Sequence, residues 1–298
     1  MSLLAPRPTT PTTPTPADLY DAVAAGSARL VIRRYSTSFG LACRLLAEPI
    51  RTHVCNVYAL VRIADELVDA PRPGARDEQR RMLLDGLEAE TLAAMTRGHS
   101  ANLVVHAFAR TAAACHIGPE LLVPFFASMR TDLTRLEHDQ ASFDAYVYGS
   151  AEVVGLMCLK AFLIEDPEPQ ASYDALAPGA RRLGAAFQKL NFLRDLATDH
   201  RALGRRYFPD LDPARLTAGR RDELLDDIDA DLRAAAAALP GLPHSSQSAV
   251  RVAYALFTEL SRRLRHTSVE RIRCERVRVP AATKARVVAR QLLVRAAA

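Results

Sequence analysis

Two pairs of aspartates with the same spacing, far apart in the chain, are the residues best suited to chemistry. They are Asp65 and Asp69 in Asp65-Glu-Leu-Val-Asp69, and Asp195 and Asp199 in Asp195-Leu-Ala-Thr-Asp199. At i and i+4 of a helix the two carboxylates of a pair lie one turn apart on the same face. Like charges that close destabilise a helix unless a cation holds them. Each pair is set in a long apolar stretch without a helix breaker. Divalent metal ions are the simplest reason for apolar helices to carry such a pair twice.

The neighbouring residues extend each pair into a line. Tyr58, Arg62, Asp65 and Asp69 fall at i, i+4, i+7 and i+11, and Gln188, Asn191, Asp195 and Asp199 at i, i+3, i+7 and i+11. At about 3.6 residues per turn both sets form one narrow polar stripe. Val57, Leu60, Val61, Ile63 and Leu67 flank the first stripe, and Leu190, Phe192, Leu193 and Leu196 the second. A polar stripe between apolar faces must meet something polar inside a bundle: metal, diphosphate or water. Asp227 and Asp231 repeat the spacing, but Asp226, Asp229 and Arg233 surround them and no apolar collar exists. That run reads as a solvated face. The eight histidines show no metal-ligand spacing.

The elements that must position these residues are helices. At 298 residues the chain is one large domain or two small ones. Ala, Leu and Arg dominate, and alternating strand runs between Asn-Gly or Gly-Gly turns are missing, so the fold class is all-α. Residues 5–16 are Pro/Thr low complexity, which implies a disordered tail over 1–16 and a helical domain over 17–298. Helices are expected over 18–34, from Glu48-Pro49 to Pro71, and over 77–97, 100–115, 119–138, 142–164, 178–202, 221–239, 245–266 and 281–296. Ser36 to Gly40 reads as a break between the first two. No run is long and apolar enough to span a bilayer and the start lacks a signal peptide's pattern, so a cytoplasmic protein is expected.

Cys43, Cys55, Cys115, Cys158 and Cys274 form an odd set without CxxC, which suits reduced, mostly buried thiols. The net charge of +5 is carried almost wholly by arginine, and the excess is concentrated from Arg262 to Arg295. Such a run is either a solvated helix face or a surface for an anionic partner. Aromatic residues are nearly absent there, which argues against nucleic acid.

Five blocks in order resemble the squalene/phytoene synthase family, the head-to-head trans-isoprenyl diphosphate synthases, from roughly Leu30 to Leu292. The blocks are Tyr35-Ser-Thr-Ser-Phe39; Tyr58-Ala-Leu-Val-Arg62 with Asp65 to Asp69; Tyr148-Gly-Ser-Ala-Glu-Val-Val-Gly-Leu-Met157; Gln188-Lys-Leu-Asn-Phe-Leu-Arg-Asp195 with Asp199; and Gly204-Arg-Arg-Tyr-Phe-Pro209. Within the family the third and fourth blocks are most similar to bacterial phytoene synthases.

The resemblance implies a single-domain antiparallel helical bundle of the isoprenoid synthase type around a deep central cavity. It implies Mg²⁺, with Mn²⁺ as the alternative, held by Asp65, Asp69, Asp195 and Asp199 with Asn191 assisting. Prenyl diphosphates are the implied substrates. Two geranylgeranyl diphosphates would join through a cyclopropylcarbinyl diphosphate to give phytoene, without NADPH. Arg62, Arg194 and Arg205 would bind phosphate, with Gln188 beside them. Ser36, Tyr58, Tyr148 and Tyr207 would surround the diphosphates and cations, Tyr148 as part of the catalytic set. A hydrocarbon product implies transient contact with the membrane periphery.

Three departures from the family pattern stand out. Thr37 occupies a position where many members carry lysine. Thr198 replaces a common acidic residue, and one extra residue separates Asp199 from Gly204-Arg205. Two alternatives remain: a C30 enzyme acting on farnesyl diphosphate, and a non-catalytic scaffold that binds a partner or membrane through its basic C-terminal segment.

Overall fold

The computed structural model describes residues 15–69, 74 and 76–296. Among them the chain forms helices joined by short turns, and no strand. Helix α1 (Pro16–Tyr35) opens on a capping box, in which the Thr15 hydroxyl accepts from the Asp18 N–H and the Asp18 carboxylate accepts from the Thr15 N–H. Thr15 and Pro16 therefore open the helix rather than close the tail. The remaining residues of that tail, and the expected stop at Pro71, lie outside the described residues.

A short α2 (Ser38–Cys43) leads to α3 (Ile50–Asp69), which carries the first aspartate pair. The buried face of α3 includes Val54, Val57, Leu60, Ala64 and Val68. Helix α4 (Asp77–Arg97) matches the expected span and ends at Gly98, whose positive φ of 76° reverses the chain. Helix α5 (Leu103–Ala114) is capped by Asn102, and α6 (Pro119–Thr131) stops well short of 138. Leu136 and Glu137 are drawn instead to Arg206, whose N–H donates to the Leu136 carbonyl.

The expected helix over 142–164 is two helices, α7 (Gln140–Val147) and α8 (Val153–Phe162), joined through a widened π-type turn at Tyr148–Glu152. Helix α9 (Pro169–Thr198) begins a good two turns earlier than 178 and keeps Pro178 in its interior. Leu176 beside that proline packs on Leu159 and Leu163, which holds the interrupted turn. A second π-type turn, Asp199–Leu203, follows α9 and ends at Gly204 with φ of 69°. Helices α10 (Ala218–Ala238), α11 (His244–His266), α12 (Val269–Ile272) and α13 (Ala281–Ala296) complete the chain.

Two large apolar cores hold most of these helices, with smaller apolar clusters beside them. One gathers Ile50, Leu60, Leu84, Phe108, Phe125, Phe126 and Met157 from α3 to α8. The other gathers Leu190, Leu193, Leu225, Ile228 and Leu264 with Tyr207 and Phe208. Each large side chain so buried stabilises the fold by about 1.5–3 kcal/mol. Helix α9 closely approaches α8 and the π-type turn before it at two glycines. A Cβ on Gly155 would lie 2.8 Å from the Ala180 carbonyl oxygen, and one on Gly184 2.6 Å from that of Ala151.

The reading of Asp227 and Asp231 as a solvated run is corrected. Asp231 is buried, its carboxylate accepting from Arg182 at 2.8 Å and Lys189 at 2.9 Å, and Lys189 also bonds Asp227 at 2.6 Å. Lys189 lies just outside the polar stripe of α9, so its reach to α10 has no signal in the spacing of either helix. The cysteines are all free; Cys43, Cys55 and Cys115 are buried, Cys158 is half-buried and Cys274 exposed. No helix among the described residues is long and apolar enough to cross a membrane.

Candidate active site

A cavity of about 530 Å³ runs between the two cores. Its walls are apolar, with Val54, Val61, Val154, Leu159, Phe162, Leu183, Phe187 and Phe257 among them. Both polar stripes face into it. Tyr58, Arg62, Asp65 and Asp69 line it from α3, and Gln188, Asn191, Asp195 and Asp199 from α9 and the turn that follows. Ser36, Arg194, Arg205 and Tyr207 line it as well.

Tyr148 does not. Its ring lies under the Arg181 guanidinium at 5.2 Å and packs on the first core, while Tyr146 lines the cavity. On a regular helix Tyr148 would share a face with Ala151, Gly155 and Cys158, which do line it. The π-type turn inserts extra rotation between α7 and α8 and carries Tyr148 off that face.

The carboxylates divide into two kinds. Asp69 accepts from Arg205 Nη1 at 2.5 Å. Asp195 accepts from Arg194 Nη2 at 2.5 Å and pairs with Arg276 Nε at 2.8 Å. Asp65 and Asp199 have no such cation among the described residues. Burial, with Asp69 close by, pushes the Asp65 carboxyl up to about 8 against the pull of Arg62. Burial, then Asp195 and Asp69, push Asp199 up to about 7. The Asn191 side-chain oxygen is buried in the same wall without a partner.

Oxygen donors that are short of positive charge suit a hard divalent cation. Among the described residues no three Asp, Glu, His or Cys side chains converge into a closed metal cage. Mg²⁺ needs none, because it is commonly held by one or two carboxylates together with substrate phosphates. The donor set therefore fits that ion.

The remaining contacts set the rim. Arg62 pairs with Glu66 and lies 4.5 Å over the Tyr35 ring, and Phe39 stacks on Tyr58 at 5.7 Å. Gln188 donates to Ser150 Oγ at 3.3 Å, and Ser36 Oγ accepts from the Gly40 N–H at 3.2 Å. Arg205 is only 4 % exposed. Its terminal nitrogens donate to Asp69, the Tyr207 hydroxyl and the carbonyls of Val68 and Asp132. This guanidinium is engaged by the protein itself, unlike the open phosphate ligand expected from its motif.

Four site residues escaped the sequence reading: Asp132, Tyr146, Arg276 and Lys284. Lys284 Nζ donates to Thr37 Oγ1 at 2.9 Å, so a lysine from α13 reaches the position where many family members carry one in the chain. Burial and the cations Arg194, Arg276 and Arg278 hold its pKa below the usual lysine range. Such a cluster attracts an anion. The basic run from Arg262 onward was the available signal, without any spacing that ties it to the aspartates.

Residues 32–283 match the profile of the Squalene/phytoene synthase family. The chain belongs to that family. It is similar to phytoene synthase 1 of Arabidopsis thaliana, with 32 % identity over 196 residues, 65 % of this chain and 44 % of the relative. It is similar to 15-cis-phytoene synthase of Paracoccus, with 31 % identity over 186 residues, 60 % of this chain and 57 % of the relative. A 4,4'-diapophytoene synthase of Staphylococcus haemolyticus is 27 % identical over 180 residues, 60 % of this chain and 59 % of the relative. The matches thus span about half the length of these curated relatives.

A solved dehydrosqualene synthase superposes with a TM-score of 0.77 at 20 % identity, covering 94 % of this chain and 99 % of that one. A squalene synthase of Alicyclobacillus acidocaldarius gives 0.70 at 21 %, covering 83 % and 95 %. The fold is therefore that of the squalene/phytoene synthase family. Its members are prenyltransferases of carotenoid and isoprenoid biosynthesis that act on prenyl diphosphates.

Proposed function

We propose that the protein joins two geranylgeranyl diphosphates head to head to give phytoene, in a reaction dependent on Mg²⁺ or Mn²⁺. The observation that carries this reading is the pair of carboxylate stripes facing one apolar cavity, with Asp65 and Asp199 short of positive charge. Mg²⁺ held by Asp65 with Asp69, and by Asp195 and Asp199 with Asn191, would neutralise the charge of the leaving diphosphate.

The protein's own groups do the rest. Arg194, Arg276 and Lys284 converge on the rim, where guanidinium forks and an ammonium hold phosphate oxygens. Departure of diphosphate leaves an allylic cation, which the double bond of the second substrate attacks, and loss of a first proton closes the ring of a cyclopropylcarbinyl diphosphate. A second ionisation, rearrangement and loss of one proton give the hydrocarbon and a second diphosphate. The apolar walls keep water from both cations. The ring face of Tyr58, backed by Phe39, suits stabilisation of positive charge. No hydride is consumed, so the reaction calls for no NADPH. The product dissolves only in lipid, and the basic C-terminal segment suits brief contact with an anionic membrane surface.

A C30 reading draws support from the similarity to a diapophytoene synthase. Both readings are tested by incubating purified protein with Mg²⁺ and geranylgeranyl or farnesyl diphosphate, without NADPH, and analysing the extracted hydrocarbons. Phytoene is expected, falling at least a hundredfold in Asp65→Ala or Asp195→Ala. A C30 product alone overturns the chain length. Absence of both hydrocarbon and released diphosphate overturns the enzyme reading.

A further inference from the structure

Asp132, which caps α6, lines the cavity at 7 % exposure and has no part in the chemistry above. Tyr146 donates its hydroxyl to Asp132 Oδ2 at 2.6 Å, and Tyr207 donates to Oδ1 at 3.2 Å. The His138 ring lies against both tyrosines, 5.2 Å from Tyr146 and 6.0 Å from Tyr207. Asp132 Oδ1 is 3.7 Å from Arg205 Nη1, the same nitrogen that bonds Asp69 at 2.5 Å. One buried guanidinium thus faces two carboxylates. Asp69 is 43 % exposed at the mouth, and Asp132 lies at the back.

Resting on the reading that Asp65 and Asp69 take a divalent ion, we infer that Asp132 is a positioning residue that sets, through Arg205, how firmly Asp69 is held from that ion. An ion that takes Asp69 Oδ1, the oxygen Arg205 holds, must displace Arg205 from it. A buried guanidinium left with no carboxylate at bonding distance is strongly unfavourable. Asp132 is the second carboxylate, close enough that closing the gap to hydrogen-bond distance takes a shift of about 1 Å. The two tyrosine hydroxyls keep Asp132 hydrogen-bonded in either state. Burial raises its carboxyl to about 6 and Arg205 pulls it back toward the charged form, so the guanidinium and Asp132 already sense each other.

The test is Mn²⁺ binding to the full chain without substrate, followed by electron paramagnetic resonance, with folding checked by circular dichroism. Asp132→Asn should weaken Mn²⁺ binding roughly tenfold, and in an Arg205→Met background the same change should matter less than about twofold. Equal weakening in both backgrounds would mean that Asp132 acts by its field alone, and the inference fails. Should Asp132→Asn not fold, Tyr146→Phe serves. Loss of that hydroxyl turns Asp132 toward Arg205 and should tighten Mn²⁺ binding about two- to threefold, while unchanged or weaker binding sinks the idea. Unaltered binding in Asp132→Asn defeats this inference alone. Wild-type protein that binds no more Mn²⁺ than Asp65→Ala defeats the metal reading and this inference together.

Discussion

At Asp65, burial and Asp69 outweigh Arg62, and the carboxyl keeps its proton to about pH 8. In the unfolded chain it ionises near 4. Between those values the folded state binds more protons, so stability falls as pH rises and levels off above the folded pKa. Asp199, raised to about 7, acts with the same sign. Metal-free protein should therefore lose roughly 2–5 °C in Tm between pH 6 and 8.5. Calorimetry should show a flatter slope in Asp65→Asn, and also in wild type with millimolar Mg²⁺, because the ion takes the proton's place. The aspartates on the two stripes could be read from spacing because each has a partner one turn away inside an apolar helix. Asp132 could not. It stands alone in Arg130-Thr-Asp132-Leu-Thr-Arg135, and only the fold brings Arg205 and two tyrosines to it.

The glycines of α8 and α9 belong to the scale of elements. Gly184 sits mid-helix, where alanine is intrinsically favoured by about 1 kcal/mol. A Cβ there would nonetheless press on the Ala151 carbonyl, so Gly184→Ala should cost about 1–3 kcal/mol through overpacking. Gly86, exposed in α4 with nothing within 4 Å of its Cβ position, is the control. Gly86→Ala should gain about 0.5–1 kcal/mol. Urea denaturation of the two variants gives opposite shifts in midpoint. Helix existence was legible because long amphipathic spans such as α3 and α11 repeat their apolar residues over many turns. The π-type turns were not, since one extra residue per turn leaves the composition unchanged. Tyr148 was expected beside the diphosphates from the family resemblance, and Tyr146 lines the cavity instead. Helices α2 and α12 are too short to establish a period.

Across the whole molecule, the cavity lies between two cores, and the C-terminal segment finishes its rim. Arg201 in the turn after α9 donates to the carbonyls of Arg273 and Cys274, which fixes the strand of chain bearing Arg276 beside Asp195. Arg276→Ala should raise KM for the prenyl diphosphate about tenfold with a smaller change in kcat. Added salt should weaken substrate binding less in that variant than in wild type. Steady-state kinetics at two ionic strengths would show both. Such long-range assembly was outside the reach of any local pattern. The Lys284–Thr37 contact closes a span of 247 residues. Loops of that length close after local helices have formed, and during synthesis this one waits until Lys284 has left the ribosome. A nascent chain would thus have both aspartate helices long before it has a finished mouth. Capture of the lipid diphosphate proposed above would then wait on that closure, after both aspartate helices are in place.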